Sequence, residues 1–385
     1  MSEAAARRLL RLTLTDFRNY PALLWRPETA ISVIVGPNGS GKTNLLEAAS
    51  LLVPGRGLRG ARVADLLRQG ASGAGDWAVA GRFAGPDGEF DIGTGTLPEG
   101  SPDAQANRRV FRLNGAPPRS QAEIASLLAA IWLTPQMERL FQEAASGRRR
   151  FLDRLVFALE PGHAREVASY EAAMANRNRL LAEARGDPAW LAGLEDGMAR
   201  HGVAASAARA GLVARLNAAL AEGVAAPFPA AYMTLICPIA EQLRAAPALE
   251  VEEWLRDGLA GGRAQDRQAG AARLGAHRAD MGLADAASGI PAQLASTGQQ
   301  KALLIGVVLG HAALIATARG APPMLLLDEP AVHLDADHRA ALCAALRRLG
   351  GPTLVTGTDA EAYAGLRDEA GFWACAASGL EPLAA

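Results

Sequence analysis

Lysine is almost missing from this chain of 385 residues. Lys42 and Lys301 are the only two, and the other 37 of its 39 cations are arginine. Wherever a generic cation serves, the chain uses Arg. The two lysines therefore mark places where a slim point charge is wanted and a broad planar fork is not. Cysteine is scarce too. Cys237, Cys343 and Cys375 lie far apart with no CxxC, which argues against a zinc site or a disulfide framework and fits a reducing cytosol. Neither sign of charge is in excess: 39 cations meet 40 acids, a formal net charge of -1. A chain held to nucleic acid by bulk positive charge is thereby excluded, and any polyanion site must be a local patch. Long apolar runs are absent. Ala302 to Ala316 is broken by His311, falls short of the roughly 18 residues a membrane span needs, and reads as a buried helix. MSEAAARRLLRLTLTDF has no long apolar core and no small-residue cleavage site, so no signal peptide is expected. A cytoplasmic chain with no membrane partner is the expectation. Apolar residues as a class are plentiful at 50%, enough for a core and against disorder. The length allows one large or two medium domains.

The pattern along the chain is mixed. Leu10 to Phe17 alternates apolar and polar residues, as a half-buried strand does. Ala30 to Val35 is a buried strand that stops at Gly36-Pro37-Asn38-Gly39. Thr43 to Leu52 reads as a helix. Short strands with Gly, Pro and Asp turns fill Trp77 to Leu113, and Ile131 to Leu133 is another core strand. From about Gly147, Ala and Arg dominate, and Val167, Tyr170, Met174 and Leu181 recur at helical spacing. Gly186-Asp187-Pro188 breaks that run before a second long helix. Met324 to Leu327 and Thr353 to Val355 are apolar strands. The expected layout is an α/β unit with a mixed sheet, built from residues 1–146 and 275–385, with a helical insertion over residues 147–274.

Gly36 to Thr43, GPNGSGKT, matches GxxxxGK[ST] between a strand and a helix, the context that motif needs. Backbone N–H groups of Asn38, Gly39, Ser40 and Gly41 can wrap a phosphate chain, and the helix N-terminus adds its positive end. Lys42 can reach the β- and γ-phosphates of ATP, and the Thr43 hydroxyl can ligate Mg²⁺. Met324 to Glu329, MLLLDE, is an apolar strand ending in two carboxylates. Asp328 would hold Mg²⁺ through water, and Glu329 would polarise the attacking water. Ser296 to Lys301, STGQQK, opens the buried helix, with Ser296 and Gly298 at its mouth. The plain alternative for that segment is an ordinary N-capped helix.

At this segment the chain resembles the ABC-type ATPases, in which the signature of one protomer closes on ATP held by the other. The resemblance implies an ABC-type P-loop ATPase lobe and an ATP-sandwiched homodimer, with Ser296, Gly298 and Gln299 contacting nucleotide. It makes Asp335 a residue of the loop after the paired carboxylates, and Gln136 a candidate metal-sensing glutamine. Further stretches narrow the likeness: Asp16 to Tyr20 (DFRNY), Asn44 to Ala48 (NLLEA), Pro54 to Arg59 (PGRGLR), Arg148 to Asp153 (RRRFLD) and Gly275 to Asp280 (GAHRAD). Together they resemble the RecF family of recombination mediators, relatives of the SMC and Rad50 heads. By that resemblance Arg18, Asn19 and Asn44 join the nucleotide contacts, and Arg56 and Arg59 lie beside the phosphates. The chain departs from the pattern at Ala279, where a second acid is usual, at His333, where an acid is common, and at Thr356-Gly-Thr-Asp359, which lacks a switch histidine. Slow hydrolysis is the expectation.

The resemblance implies an ATP-dependent recombination mediator. Its dimer would bind double-stranded or gapped DNA, work with RecR and RecO to load RecA, and serve DNA replication, repair and the SOS response. Arg148, Arg149 and Arg150, with Arg108, Arg109 and Arg112, are the candidate DNA patch. No aromatics interleave with them, so duplex backbone is expected over stacked single strands. Two alternatives share the core motifs: the nucleotide-binding subunit of an ABC transporter, and a scaffold that binds ATP without useful turnover. Lys301 could strengthen a phosphate site or face solvent.

Overall fold

The computed structural model describes residues 7–70, 76–97, 108–183, 187–376 and 379–383. Residues 1–6 of the N-terminal segment, residues 98–107 and Gly186 of the expected helix break lie outside them. In chain order the strands and helices are β1 (Arg8–Phe17), β2 (Tyr20–Trp25), β3 (Ile31–Val35), α1 (Lys42–Ser50), β4 (Ala78–Gly85), β5 (Gly88–Gly95), β6 (Val110–Leu113), α2 (Gln121–Leu127), β7 (Ala130–Leu133), α3 (Ala145–Leu159), α4 (His163–Ala182), α5 (Pro188–Ala221), β8 (Ala231–Ile236), α6 (Pro238–Gln242), α7 (Ala248–Gly261), α8 (Arg263–Ala269), β9 (Asp280–Asp285), α9 (Thr297–Arg319), β10 (Met324–Leu327), α10 (Ala336–Leu349), β11 (Thr353–Gly357), β12 (Ala370–Ala376) and β13 (Gly379–Pro382).

The chain forms two compact units. The first takes Met1–Glu138, Gly223–Pro229 and Ser296–Ala385; the second takes Arg139–Glu222 and Ala230–Ala295. This corrects the boundaries read from the sequence. Residues 275–295 stay with the second unit because β9 pairs with β8 over its whole length, from Ala231 opposite Asp285 to Ile236 opposite Asp280. The short return Gly223–Pro229 belongs to the first unit, where Arg348 donates to the Ala226 carbonyl at 2.6 Å.

Two sheets build the first unit. One is antiparallel, in the order β2-β1-β4-β5-β6. The other runs β13-β12-β3-β11-β10-β7, with five parallel strands and β13 antiparallel at its edge. Strands β3, β7, β10 and β11 are buried at every position, as parallel strands covered on both faces must be. In β1 the alternation does not start at Leu10. Leu9, Leu12, Leu14 and Phe17 point inward and Leu10 is half-exposed, because the register against β4 slips between Leu9 and Arg11. One extra residue in a strand turns the residues beyond it to the other face. Helix α9 is long and apolar enough to cross a membrane, but 72% of its most apolar stretch is buried inside the molecule, as in a core helix. At 23 residues it outruns the apolar stretch legible in sequence, because its first and last turns are polar.

The second unit is helical with one hairpin-like pair of strands that periodicity missed. In β8, Ala231, Met233 and Leu235 face inward, and Tyr232, Thr234 and Ile236 face out. Buried ion pairs tie its helices. Arg177 of α4 donates to Glu195 of α5 at 3.0 Å, to Asp266 of α8 at 2.8 Å and to the Leu259 carbonyl at 2.7 Å. Asp153 of α3 accepts from Arg209 of α5 at 2.7 and 2.9 Å. The expected break at 186–188 holds where it is described: Asp187 caps α5, accepting from Ala189 N–H at 2.9 Å, and Pro188 is its first residue.

Candidate active site

Parallel strands of one sheet end at a common edge, and loops leaving their carboxyl ends converge there. Gly36 leaves β3, Asp328 and Glu329 leave β10, Gly357 ends β11, and the turn Pro135–Arg139 comes after β7. The loop after β3 is shaped by glycine. A Cβ on Gly36 would lie 2.5 Å from the Cys375 carbonyl oxygen. Gly41 has φ 109°, and a Cβ there would lie 2.4 Å from the Asn19 amide. Asn38 and Gly39 sit exposed at the lip. Gly41 opens α1 with no side-chain cap, and the first turn of α1 carries no acid. Its leading N–H groups and the positive end of the helix are thus left for an anion.

Lys42 is only 4% exposed. Its Nζ donates to the Gly36 carbonyl at 2.7 Å and the Pro37 carbonyl at 3.0 Å, and lies 3.9 Å from Glu329 Oε1. Thr43 Oγ1 donates to Asp328 Oδ1 at 3.1 Å, and Thr356 Oγ1 donates to the same oxygen at 2.8 Å. Glu329 N–H donates to Thr356 Oγ1 at 3.0 Å. Glu329 has φ 50°, a left-handed backbone that non-glycine residues adopt only under constraint. Thr356, which no motif flagged, therefore joins both carboxylate-bearing residues to the end of β11. Its only sequence signal was its place where a switch histidine was sought. Gln136 is exposed on the turn beyond β7, whose Leu133 carbonyl accepts from Asp328 N–H at 2.9 Å.

Beside the loop lies a polar chain. Asn19 Nδ2 donates to the Ser40 carbonyl at 3.4 Å, and Asn19 Oδ1 accepts from Asn44 at 2.7 Å. Arg59 donates to Asn44 Oδ1 at 2.7 Å and to Glu47 at 3.2 Å. Arg18 grips Glu47 with two bonds of 2.9 Å. Glu47 is 1% exposed and was not singled out in sequence. It is the buried acid that holds both arginines against α1, and Arg56 remains exposed.

The mouth of α9 is a capping box. Ser296 Oγ accepts from Gln299 N–H at 3.3 Å, and Gln299 Oε1 accepts from Ser296 N–H at 2.9 Å. Ser296, Thr297 and Gln299 are exposed or half-exposed, so the segment is both an ordinary cap and an outward-facing surface. Lys301 does not face solvent. It is buried, 2.8 Å from Glu138 and 3.1 Å from the Glu329 carbonyl. Asp335 caps α10. Hydrogen bonds from the His338 N–H and imidazole hold its carboxyl below the usual range.

The expected DNA patch is partly consumed by structure. Arg148 is bidentate to Asp280 at 2.7 Å on both oxygens, and Arg149 donates to the Ala279 carbonyl at 3.0 Å. Arg109 donates to the Gly55 and Val53 carbonyls at 2.7 and 3.1 Å and stacks on Phe111. Burial pushes its guanidinium down to about 10. Arg108 and Arg150 are exposed and Arg112 is half-buried. Among the described residues no cluster of three or more His, Cys, Asp or Glu could hold a metal.

The family model described as "RecF/RecN/SMC N terminal domain" matches residues 8–365. A DNA replication and repair protein RecF from Mesorhizobium japonicum is 48% identical over 365 residues, 94% of each chain. One from Agrobacterium fabrum is 45% identical over 374 residues, 97% of this chain and 98% of that one. In fold, the chain is similar to a solved structure of the recombination mediator protein RecF-ATPrS in the RecFOR pathway, with TM-score 0.84 and 21% identity over 98% of this chain and 99% of that one. It is also similar to an Smc head domain derived from Pyrococcus furiosus, at TM-score 0.53 and 14% identity over 98% and 96% of the two chains.

Proposed function

The chain belongs to the RecF branch of the RecF/RecN/SMC family, and on that premise we propose that it is an ATP-dependent, DNA-binding recombination mediator. Two copies close around two ATP molecules, the closed homodimer holds duplex or gapped DNA, and slow hydrolysis releases it. It acts in the cytoplasm, in gap repair and the SOS response, with RecR and RecO as partners and RecA loading as the outcome. The full-length relatives are named DNA replication and repair proteins, and nothing favours the transporter-subunit alternative.

One observation carries the reading. Thr43 and Asp328, far apart in sequence, meet at 3.1 Å, with Lys42 and Glu329 3.9 Å apart beside them. The hydroxyl and carboxylate are hard oxygen donors that fit Mg²⁺, with Gln136 at the same sheet edge. Bound there, the ion would neutralise charge on the β- and γ-phosphates. The protein's own residues do the rest. The loop N–H groups and the end of α1 cradle phosphate. Lys42, held now by loop carbonyls, has its ammonium in place to turn to the γ-phosphate. Glu329 takes the proton of the attacking water. The end of β11 offers the Thr356 hydroxyl and no imidazole, which supports slow turnover. Ser296, Gly298 and Gln299 face outward, as contacts to a partner copy's ATP require.

Sedimentation and duplex binding with and without ATP test this. Dimers and tight duplex binding are expected only with ATP, and equal behaviour in both states would remove the switch. Glu329→Gln should slow phosphate release about a hundredfold or more while ATP still yields dimers. Phosphate release by the wild-type chain on DNA separates this reading from a scaffold without turnover.

A further inference from the structure

Lys301 is the one lysine the nucleotide reading does not use. Its side chain is 1% exposed in a chain that otherwise places arginine wherever a cation is needed. We propose that Lys301 is a positioning residue: its ammonium holds the backbone of Glu329 in the left-handed conformation that aims the carboxylate, and so ties the mouth of α9 to the hydrolytic site. The inference rests on the ATPase reading above and deepens it.

Glu329 stands at φ 50°, where an L-residue with a Cβ is strained and persists only if its surroundings over-determine it. Both of its backbone polar groups are held. The N–H donates to Thr356 Oγ1 at 3.0 Å, and the carbonyl accepts from Lys301 Nζ at 3.1 Å and, more weakly, from the Val332 N–H at 3.3 Å. The backbone is thus clamped between β11 and α9. Lys301 is in turn fixed by Glu138, whose Oε1 is 2.8 Å away and which is itself only 13% exposed. The other oxygen of Glu138 lies 3.7 Å from His333 Nδ1. Glu138 sits in the same turn as Gln136, and His333 in the loop leading to Asp335. One buried ammonium therefore joins the signature helix, the turn after β7 and, through Glu138, the loop before α10 to Glu329. The slot suits Lys and not Arg. Two acceptors approach a single point, whereas a guanidinium would bury a planar fork with donors left over.

The test separates holding Glu329 from merely balancing a buried charge. Lys301→Met should lower kcat by about tenfold to a hundredfold, with ATP affinity changed less than about threefold. It should also lower Tm, because the largely buried Glu138 loses its ammonium partner and keeps only the more distant His333. Adding Glu138→Gln to Lys301→Met removes that charge, so Tm should return to within about 3 °C of the wild-type chain. Turnover should stay low, because the Glu329 carbonyl still lacks the ammonium and keeps only the Val332 N–H, at 3.3 Å. A double variant that recovers turnover together with stability overturns the proposal, as does one that fails to recover stability. A wild-type chain that binds no ATP removes the reading and the inference with it. A wild-type chain that turns over beside an equally active Lys301→Met removes the inference alone.

Discussion

Two acids, Glu47 buried and Asp280 half-buried, carry much of the local order around the phosphate loop and inside the second unit. Glu47 is shared by Arg18 and Arg59, at 2.9 and 3.2 Å. Replacing it by Gln leaves two guanidiniums without their counter-ion. Both are partly wet, so the loss is smaller than for a fully buried pair, and Glu47→Gln should cost about 2 kcal/mol in denaturant unfolding. In the second unit, the bidentate bond from Arg148 holds the Asp280 carboxyl below its ordinary value. A depressed folded value adds stability above the unfolded carboxylate value of about 3.9, and that stability is lost as pH falls through the folded value. Asp280→Asn should therefore be less stable at neutral pH and should lose less stability on acidification below about pH 4, read from Tm against pH. Arg148 and Glu47 also illustrate what composition hides. The RRRFLD and NLLEA stretches were legible as distinctive, but which side chain pairs with which depends on residues far along the chain.

At the scale of elements, the β3–loop–α1 segment is the most determined part of the molecule. Its glycines, its uncapped helix start and its lysine all point to one conformation, and sequence and structure agree there because the backbone demands of the turn and the helix start are local. Gly41 is the sharpest case. With φ 109° and the Asn19 amide 2.4 Å from where a Cβ would stand, Gly41→Ala should cost about 2 kcal/mol and abolish measurable ATP binding in a fluorescent-nucleotide titration. Strand β1 shows the opposite. Its alternation was readable, but the slip at Leu10 was not, since the bulge exists only relative to β4. The pair β8 and β9 went unread because they lie in an Ala- and Arg-rich stretch with strong helical texture, and their partners are separated by three helices.

At the scale of the whole molecule, a near-neutral chain that is to hold DNA, as proposed, must concentrate its cations. With Arg109, Arg148 and Arg149 spent on internal acceptors, one copy offers a modest patch. In the proposed dimer, doubling the copies would double the phosphate contacts. The slope of log affinity against log salt for duplex, measured by fluorescence anisotropy, should be about twice as steep with ATP as without. Charge balance, the two lysine positions, the phosphate loop and the apolar strand ending in Asp328 and Glu329 were all determined by the sequence, because each is a local pattern of side-chain type and spacing. Tertiary structure alone decided that Lys301 turns inward to Glu138 and Glu329, that Thr356 bridges the two carboxylate residues, and that residues 275–295 stay with the second unit. Each of these is a contact between distant segments, chosen by which buried polar group must find a partner, and no local pattern encodes that choice.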